Sequence, residues 1–274
     1  MNADQLHRNI LEKKSFLCIG LDTDPGRIPG FLKKTEMPQY EFNKQIIDAT
    51  HDLVIAYKPN LAFYERAGSA GWKELEMTCR YIKDHYPEIF LIADGKRGDI
   101  GNTSRMYAES VFNNLSCDAA TLSPFMGRDS IEPFLFKDKW AILLGLTSNE
   151  GSSDFQLLRI EGKERTLFEE VLEKTSSWGT TDNLMYVIGA TRVEWLRKVR
   201  AIIPGHFLLI PGIGAQGGDL EEVVRYGMNE RTGLIINVSR SILFADPGRQ
   251  FAAAARSKAF ELQQKMQFSL TPRY

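Results

Sequence analysis

The chain alternates between short apolar runs and longer segments in which apolar residues recur every three or four positions. Runs that read as buried strands lie at residues 16–21, 54–58, 89–94, 119–122, 140–146, 185–188, 207–210 and 233–238. Between them, residues 42–53, 72–85, 104–115, 194–202 and 220–226 carry helical spacing. This alternation predicts βα units on a parallel sheet, and eight of them in 274 residues predict a (β/α)8 TIM barrel. A doubly wound open sheet is the alternative the same pattern allows. Residues 4–14 read as a short N-terminal helix closing the bottom of the barrel, and residues 250–268 as a C-terminal helical tail. The longest irregular stretch, 149–165, follows the fifth strand and is rich in Gly, Ser, Glu and Lys. It is either a lid over a site or a solvated insertion. No low-complexity linker interrupts the pattern, so residues 1–274 read as one barrel domain.

Composition narrows the functional classes. A formal net charge of -1 gives no global basic field, so no nucleic-acid partner is expected. No apolar run approaches the roughly 20 residues that a membrane span needs, so no membrane association is expected. The first residues are polar and lack a signal-peptide pattern, and Cys18, Cys79 and Cys117 are widely spaced and odd in number. Both features suit a cytoplasmic protein with reduced thiols. His7, His51, His85 and His206 show no metal-ligand spacing and read as helix or loop surface.

The residues at the strand ends carry the chemistry, because a barrel of this type builds its site there. Behind the third apolar run comes Asp94-Gly95-Lys96-Arg97-Gly98-Asp99-Ile100. Strand alternation puts Asp94 and Lys96 on one side, with Asp99 beyond the strand. Lys58, before Pro59, ends the second strand, and Asp22 follows the first. A salt-bridge network is the structural explanation for Lys58, Asp94, Lys96 and Asp99, but buried ion pairs stabilise weakly. Alternating signs instead keep the lysines protonated and the aspartates ionised. Such an array suits expulsion of a negative group followed by protonation of the carbanion left behind, as in decarboxylation. The seventh and eighth ends, Pro211–Gly218 and Ser239-Arg240, read as an anion site: glycine-rich backbone, a following helix N-terminus, and a forked cation.

These residues resemble the orotidine 5′-phosphate decarboxylase family, in its longer bacterial form. The resemblance runs over about residues 16–246. It rests on Asp94-Gly-Lys96-Arg-Gly-Asp99-Ile100-Gly-Asn-Thr103, Tyr57-Lys58-Pro59-Asn60, Pro211-Gly-Ile-Gly-Ala-Gln216-Gly-Gly-Asp219 and Val238-Ser-Arg240-Ser, in that family's order. It implies conversion of orotidine 5′-monophosphate to uridine 5′-monophosphate and CO2, with no metal and no organic cofactor. Lys58, Asp94, Lys96 and Asp99 would form the charged tetrad, Lys96 protonating C6 and Asp94 lying against the departing carboxylate. Asp22 and Lys58 would hold ribose hydroxyls, Ser148 (or, as the alternative, Thr147) the pyrimidine edge, and Gln216 and Arg240 the phosphate. Asp99, Ile100 and Thr103 would enter a partner's site, making the protein a homodimer with shared sites. Two positions depart from the family pattern: Gly95 stands where alanine is expected and Glu150 where proline is. Magnesium-dependent sugar-phosphate enzymes on the same barrel place a carboxylate near the second strand's end, where this chain has Lys58, a residue that repels a cation. A non-catalytic nucleotide sensor would lack at least one tetrad charge, and all four are present.

Overall fold

The computed structural model describes residues 1–190, 193–213 and 218–270. Eight strands close a barrel in sequence order: β1 (Leu17–Leu21), β2 (Ala56–Pro59), β3 (Phe90–Arg97), β4 (Ala119–Leu122), β5 (Trp140–Leu146), β6 (Leu184–Ile188), β7 (Phe207–Pro211) and β8 (Leu234–Val238). The parallel registers, such as Gly20 opposite Lys58 and Tyr186 opposite Leu208, exclude the doubly wound alternative together with the closure. The α-helices are α1 (Ala3–Lys13), α2 (Pro38–Thr50), α3 (Ala62–Glu65), α4 (Gly68–His85), α5 (Gly101–Glu109), α6 (Arg128–Ile131), α7 (Ser152–Phe155), α8 (Leu167–Ser176), α9 (Val193–Ile202), α10 (Leu220–Gly227), α11 (Arg240–Leu243) and α12 (Phe251–Leu270). The chain groups into two units, one of Met1–His7, Lys96–Ala108 and Ala120–Ile236, the other of Arg8–Gly95, Glu109–Ala119 and Asn237–Tyr274.

In the unit that begins at Arg8, the C-terminal helix is a structural wall and not a loose tail. Phe251, Ala255, Ala259 and Met266 are fully buried along one stripe of α12. Phe251 stacks on Phe42 of α2 with centroids 4.9 Å apart. Gln263 donates to the carbonyls of Lys13 and Lys14, and Arg256 grips Asp52 with two bonds of 2.6 and 2.8 Å. Burying one phenylalanine of this kind contributes about 2–3 kcal/mol.

Three elements differ from what the pattern predicts. β3 continues to Arg97, past the expected end at Asp94, so Lys96 also lies within the strand. Long-range pairing extends it: Asn60 bridges to Asp94, and Ser123 donates its N–H to the Arg97 carbonyl. The segment 104–115 is helical but not uniform. α5 stops at Glu109 and Ser110–Asn114 forms one π turn, closed by Leu115 N–H to Ser110 O at 3.1 Å. Residues 149–165 are not a free loop, because α7 and backbone bonds tie them to the start of α8.

The cysteines are free thiols and all buried. His206 is buried rather than superficial, with an edge-on contact to Tyr186. No helix among the described residues is long and apolar enough to cross a membrane.

Candidate active site

The ends of β1, β2 and β3 bring three of the expected residues together. Lys58 is 4 % exposed and its Nζ donates to Asp94 Oδ2 at 2.5 Å. Asp94 is 7 % exposed, and its backbone carbonyl accepts the Leu61 N–H at 3.2 Å. Burial alone would depress the Lys58 ammonium. The charges of Asp94 and then Asp22 outweigh it and hold Lys58 above the usual lysine value, so it is protonated at neutral pH. Asp22 Oδ1 is buried with no hydrogen-bond partner. A buried carboxylate oxygen without a partner is costly to leave, and an arriving hydroxyl donor would satisfy it.

The chain beneath Asp22 is fixed by side chains. Tyr64 donates to the Leu21 carbonyl, Gln39 to the Thr23 carbonyl, and the Thr23 hydroxyl to Asn43 Oδ1. Asn43 in turn donates to Tyr64 and Thr78. The start of α11 is pinned to the same unit, since the Ser239 hydroxyl donates to Gly20 O at 2.9 Å. A Cβ at Gly20 would lie 3.0 Å from Ser239 Cβ and 3.1 Å from Asn237 Oδ1, so this close approach needs glycine. Cys18, directly below, donates to Asn237; burial pushes its thiol up to about 12 and makes it inert.

Lys96 is different. It has φ +46°, a left-handed conformation rare for a side-chain-bearing residue, and it is exposed. Its N–H bonds to the Thr121 hydroxyl at 3.0 Å. The pleat is therefore broken at Lys96, and simple alternation does not set the direction of its side chain. Strained backbone of this kind gathers at functional sites.

The other expected residues lie on other elements. Asp99 is half-buried and accepts the Ile100 N–H at 2.8 Å, while Ile100 is 51 % exposed and Thr103 is exposed on α5. Ser148 is half-buried after β5, packed so closely on Gly189 that a Cβ there would come within 2.8 Å of it. Arg240 is the exposed first residue of α11, with no carboxylate paired to it among the described residues. Gln216 lies outside the described residues. The helix after the seventh loop does not offer a vacant N-terminus. Asp219 caps α10 by accepting the Glu221 N–H, and Glu221 and Glu222 occupy its first turn. Thr121 and Gln156, both tied to strand-end backbone, carry no sequence signal that would single them out. No group of three or more His, Cys, Asp or Glu side chains among the described residues could hold a metal ion.

Comparison with known proteins decides the family. A profile of the orotidine 5′-phosphate decarboxylase / HUMPS family matches residues 15–255. The chain belongs to that family. It is 55% identical over 267 residues to orotidine 5′-phosphate decarboxylase of Flavobacterium johnsoniae, with 97% of each chain covered. To that of Phocaeicola vulgatus it is 56% identical over 268 residues, covering 97% of this chain and 98% of the relative. Among solved structures it is similar to OMP decarboxylase of Leishmania donovani, with TM-score 0.81 and 36% identity over 98% of this chain and 99% of that one.

Proposed function

We propose that this family member decarboxylates orotidine 5′-monophosphate to uridine 5′-monophosphate and CO2, the last step of de novo UMP biosynthesis, in the cytoplasm. The observation that carries the reading is the buried Lys58–Asp94 pair beside the unpartnered Asp22 oxygen. Ribose hydroxyls donate to Asp22 and accept from Lys58. Asp94 stands against the substrate carboxylate, and Arg240 with Gln216 takes the phosphate. The bond from C6 to the carboxylate breaks and its electron pair stays on C6. Lys96 gives that carbon a proton, and solvent restores the ammonium. Preorganised charge is the main source of barrier reduction in such a step. No metal or organic cofactor takes part.

The Thr147 hydroxyl is engaged by Gln156 and Asn149, which supports Ser148 over Thr147 as the pyrimidine contact. The second copy of the chain enters through the Asp99–Thr103 segment. Exposed apolar side chains favour that assembly: Ile100, Met106 and Tyr107 around α5, and Phe125 and Met126 after β4, the phenylalanine 87 % exposed. Asp99, Ile100 and Thr103 then complete the partner's site and cover the partner's Lys96 from water.

The test is orotidine 5′-monophosphate added to purified protein with EDTA present, read by loss of substrate absorbance. Rapid conversion supports the reading. No conversion with EDTA or with added magnesium removes it.

A further inference from the structure

Thr147 leaves β5 at an irregularity. The β5–β6 register shifts between Leu144 and Leu146, around Gly145. A Cβ at Gly145 would meet Ile188 at 2.8 Å and Leu172 at 3.0 Å. Beyond this bulge the Thr147 N–H is answered by a side chain: Gln156 Oε1 accepts it at 2.8 Å. Gln156 Nε2 donates to Thr147 Oγ1 at 3.0 Å, and that hydroxyl passes its own proton to Asn149 Oδ1 at 2.6 Å. One amide thus grips both the backbone and the side chain of the residue before Ser148. The amide does this by accepting at one atom and donating at the other, and the Thr147 hydroxyl also lies 3.3 Å from Gln156 Oε1.

Gln156 is itself held. Its N–H bonds to Ser152 O at 2.9 Å and its carbonyl takes the Phe168 N–H at 3.0 Å. That donor belongs to the first turn of α8, whose other early N–H groups are also satisfied. Leu167 donates to Leu158 O, and Thr166 and Glu169 form a reciprocal capping box. Gln156 also borders an apolar cavity of about 410 Å3 lined by Leu144, Phe155, Leu167, Phe168 and Val171.

We infer that Gln156 is a positioning residue for pyrimidine recognition: its amide fixes Thr147, and through it places Ser148. The inference rests on the function proposed above and extends it. The insertion after β5 is then a rigid bracket carrying Gln156, and not a cover for the site.

The test compares the full chain with Gln156→Ala, Gln156→Glu, Ser148→Ala and the Gln156→Ala/Ser148→Ala double variant. Gln156→Ala should lower kcat/KM for orotidine 5′-monophosphate on the order of 10–100-fold, mainly through KM. The double variant should lose little beyond Ser148→Ala, because the two residues act through one contact. Gln156→Glu keeps the acceptor for the Thr147 N–H and loses the donor, so its loss should fall between wild type and alanine. Hydrogen exchange at the Thr147 amide, read without substrate, should quicken by roughly tenfold or more in the alanine variant and less in the glutamate variant. Wild-type kcat/KM in both Gln156 variants, losses that multiply in the double variant, or unchanged exchange would each overturn the inference. If the wild-type protein fails to turn over orotidine 5′-monophosphate, the proposed function falls separately, and the exchange measurement alone decides the clamp.

Discussion

Lys58 and Arg200, one in each unit, are both withdrawn from water, and they are held in opposite ways. Lys58 is answered by carboxylates: Asp94 in contact and Asp22 by charge, so its pKa rises despite burial. Arg200, half-buried in the last turn of α9, is answered by backbone carbonyls, those of Gly227, Ile203, His206 and Gly233 at 2.6 to 3.3 Å. Burial lowers its pKa to about 10, and beside it burial and the arginine charge push His206 down to about 4. All four carbonyls belong to residues at or just past helix ends or just before a strand, where backbone acceptors are short of partners. Arg200 is therefore a staple that closes chain ends. Lys58 is a charge kept in place with an opposing charge and an unsatisfied oxygen next to it, an arrangement that stability does not call for.

The largest expected effect falls on neither cation but on Lys96, which gives the comparison a third point. Lys96→Ala should reduce turnover by on the order of 10⁴-fold or more, as loss of a positioned proton donor does. The side chain is exposed within its own subunit, so the variant should still fold. Substantial residual turnover would take the proton donor's role away from it. Mixing this variant with Asp99→Ala tests whether sites are shared. Random exchange should return about a quarter of wild-type activity, because half of the dimers are hybrid and each has one intact site. No recovery after proven exchange would remove the shared site.

Lys58 and Arg200 themselves should separate by readout. Lys58→Ala strands Asp94 without its partner and should cost about 3–5 kcal/mol of stability as well as most of the activity. Arg200→Ala takes a donor from four carbonyls, of which Gly233 O keeps another (the Leu208 N–H), and should cost about 2–4 kcal/mol, with kcat close to wild type below the melting transition. Denaturant titration and steady-state kinetics on the same samples read both. If Arg200→Ala also abolished turnover while folded, the distinction between staple and site charge would fail.

The barrel was legible because its signal is local and repeated. Each apolar run such as 207–210 needs only its own composition to be recognised, and β7 covers Phe207–Pro211. Lys58, Asp94 and Asp22 were legible because ionisable residues after apolar runs are expensive to place without a use. What the pattern could not supply depends on partners far along the chain. β3 reaches Arg97 because of Ser123 and Asn60, and Lys96 turns left-handed against Thr121. Residues 149–165 look solvated by composition, yet Phe168, Leu167 and Gln156 tie them down. His206 looks superficial because its neighbours Pro204 and Gly205 read as a turn, and its burial comes from Tyr186 on another strand.

His206 gives the smallest effect and the finest probe of the staple. Both ring nitrogens are buried without partners, and its pKa lies near 4 in the fold against about 6.5 when unfolded. The unfolded chain therefore binds a proton first as pH falls. The histidine's contribution is complete above about pH 6.5 and is lost as pH drops towards 4, by on the order of 2–3 kcal/mol. Carboxylates titrate over the lower part of that window, so the test is a difference. Chemical denaturation of wild type and His206→Phe should show the variant losing less stability between pH 7 and 5. The Lys58 ammonium, by contrast, stays charged throughout that window. An equal loss in both proteins would mean that His206 is not held neutral by burial and by Arg200. The staple would then be no more than a set of backbone hydrogen bonds, without the electrostatic penalty that sets it apart from the Lys58 pair.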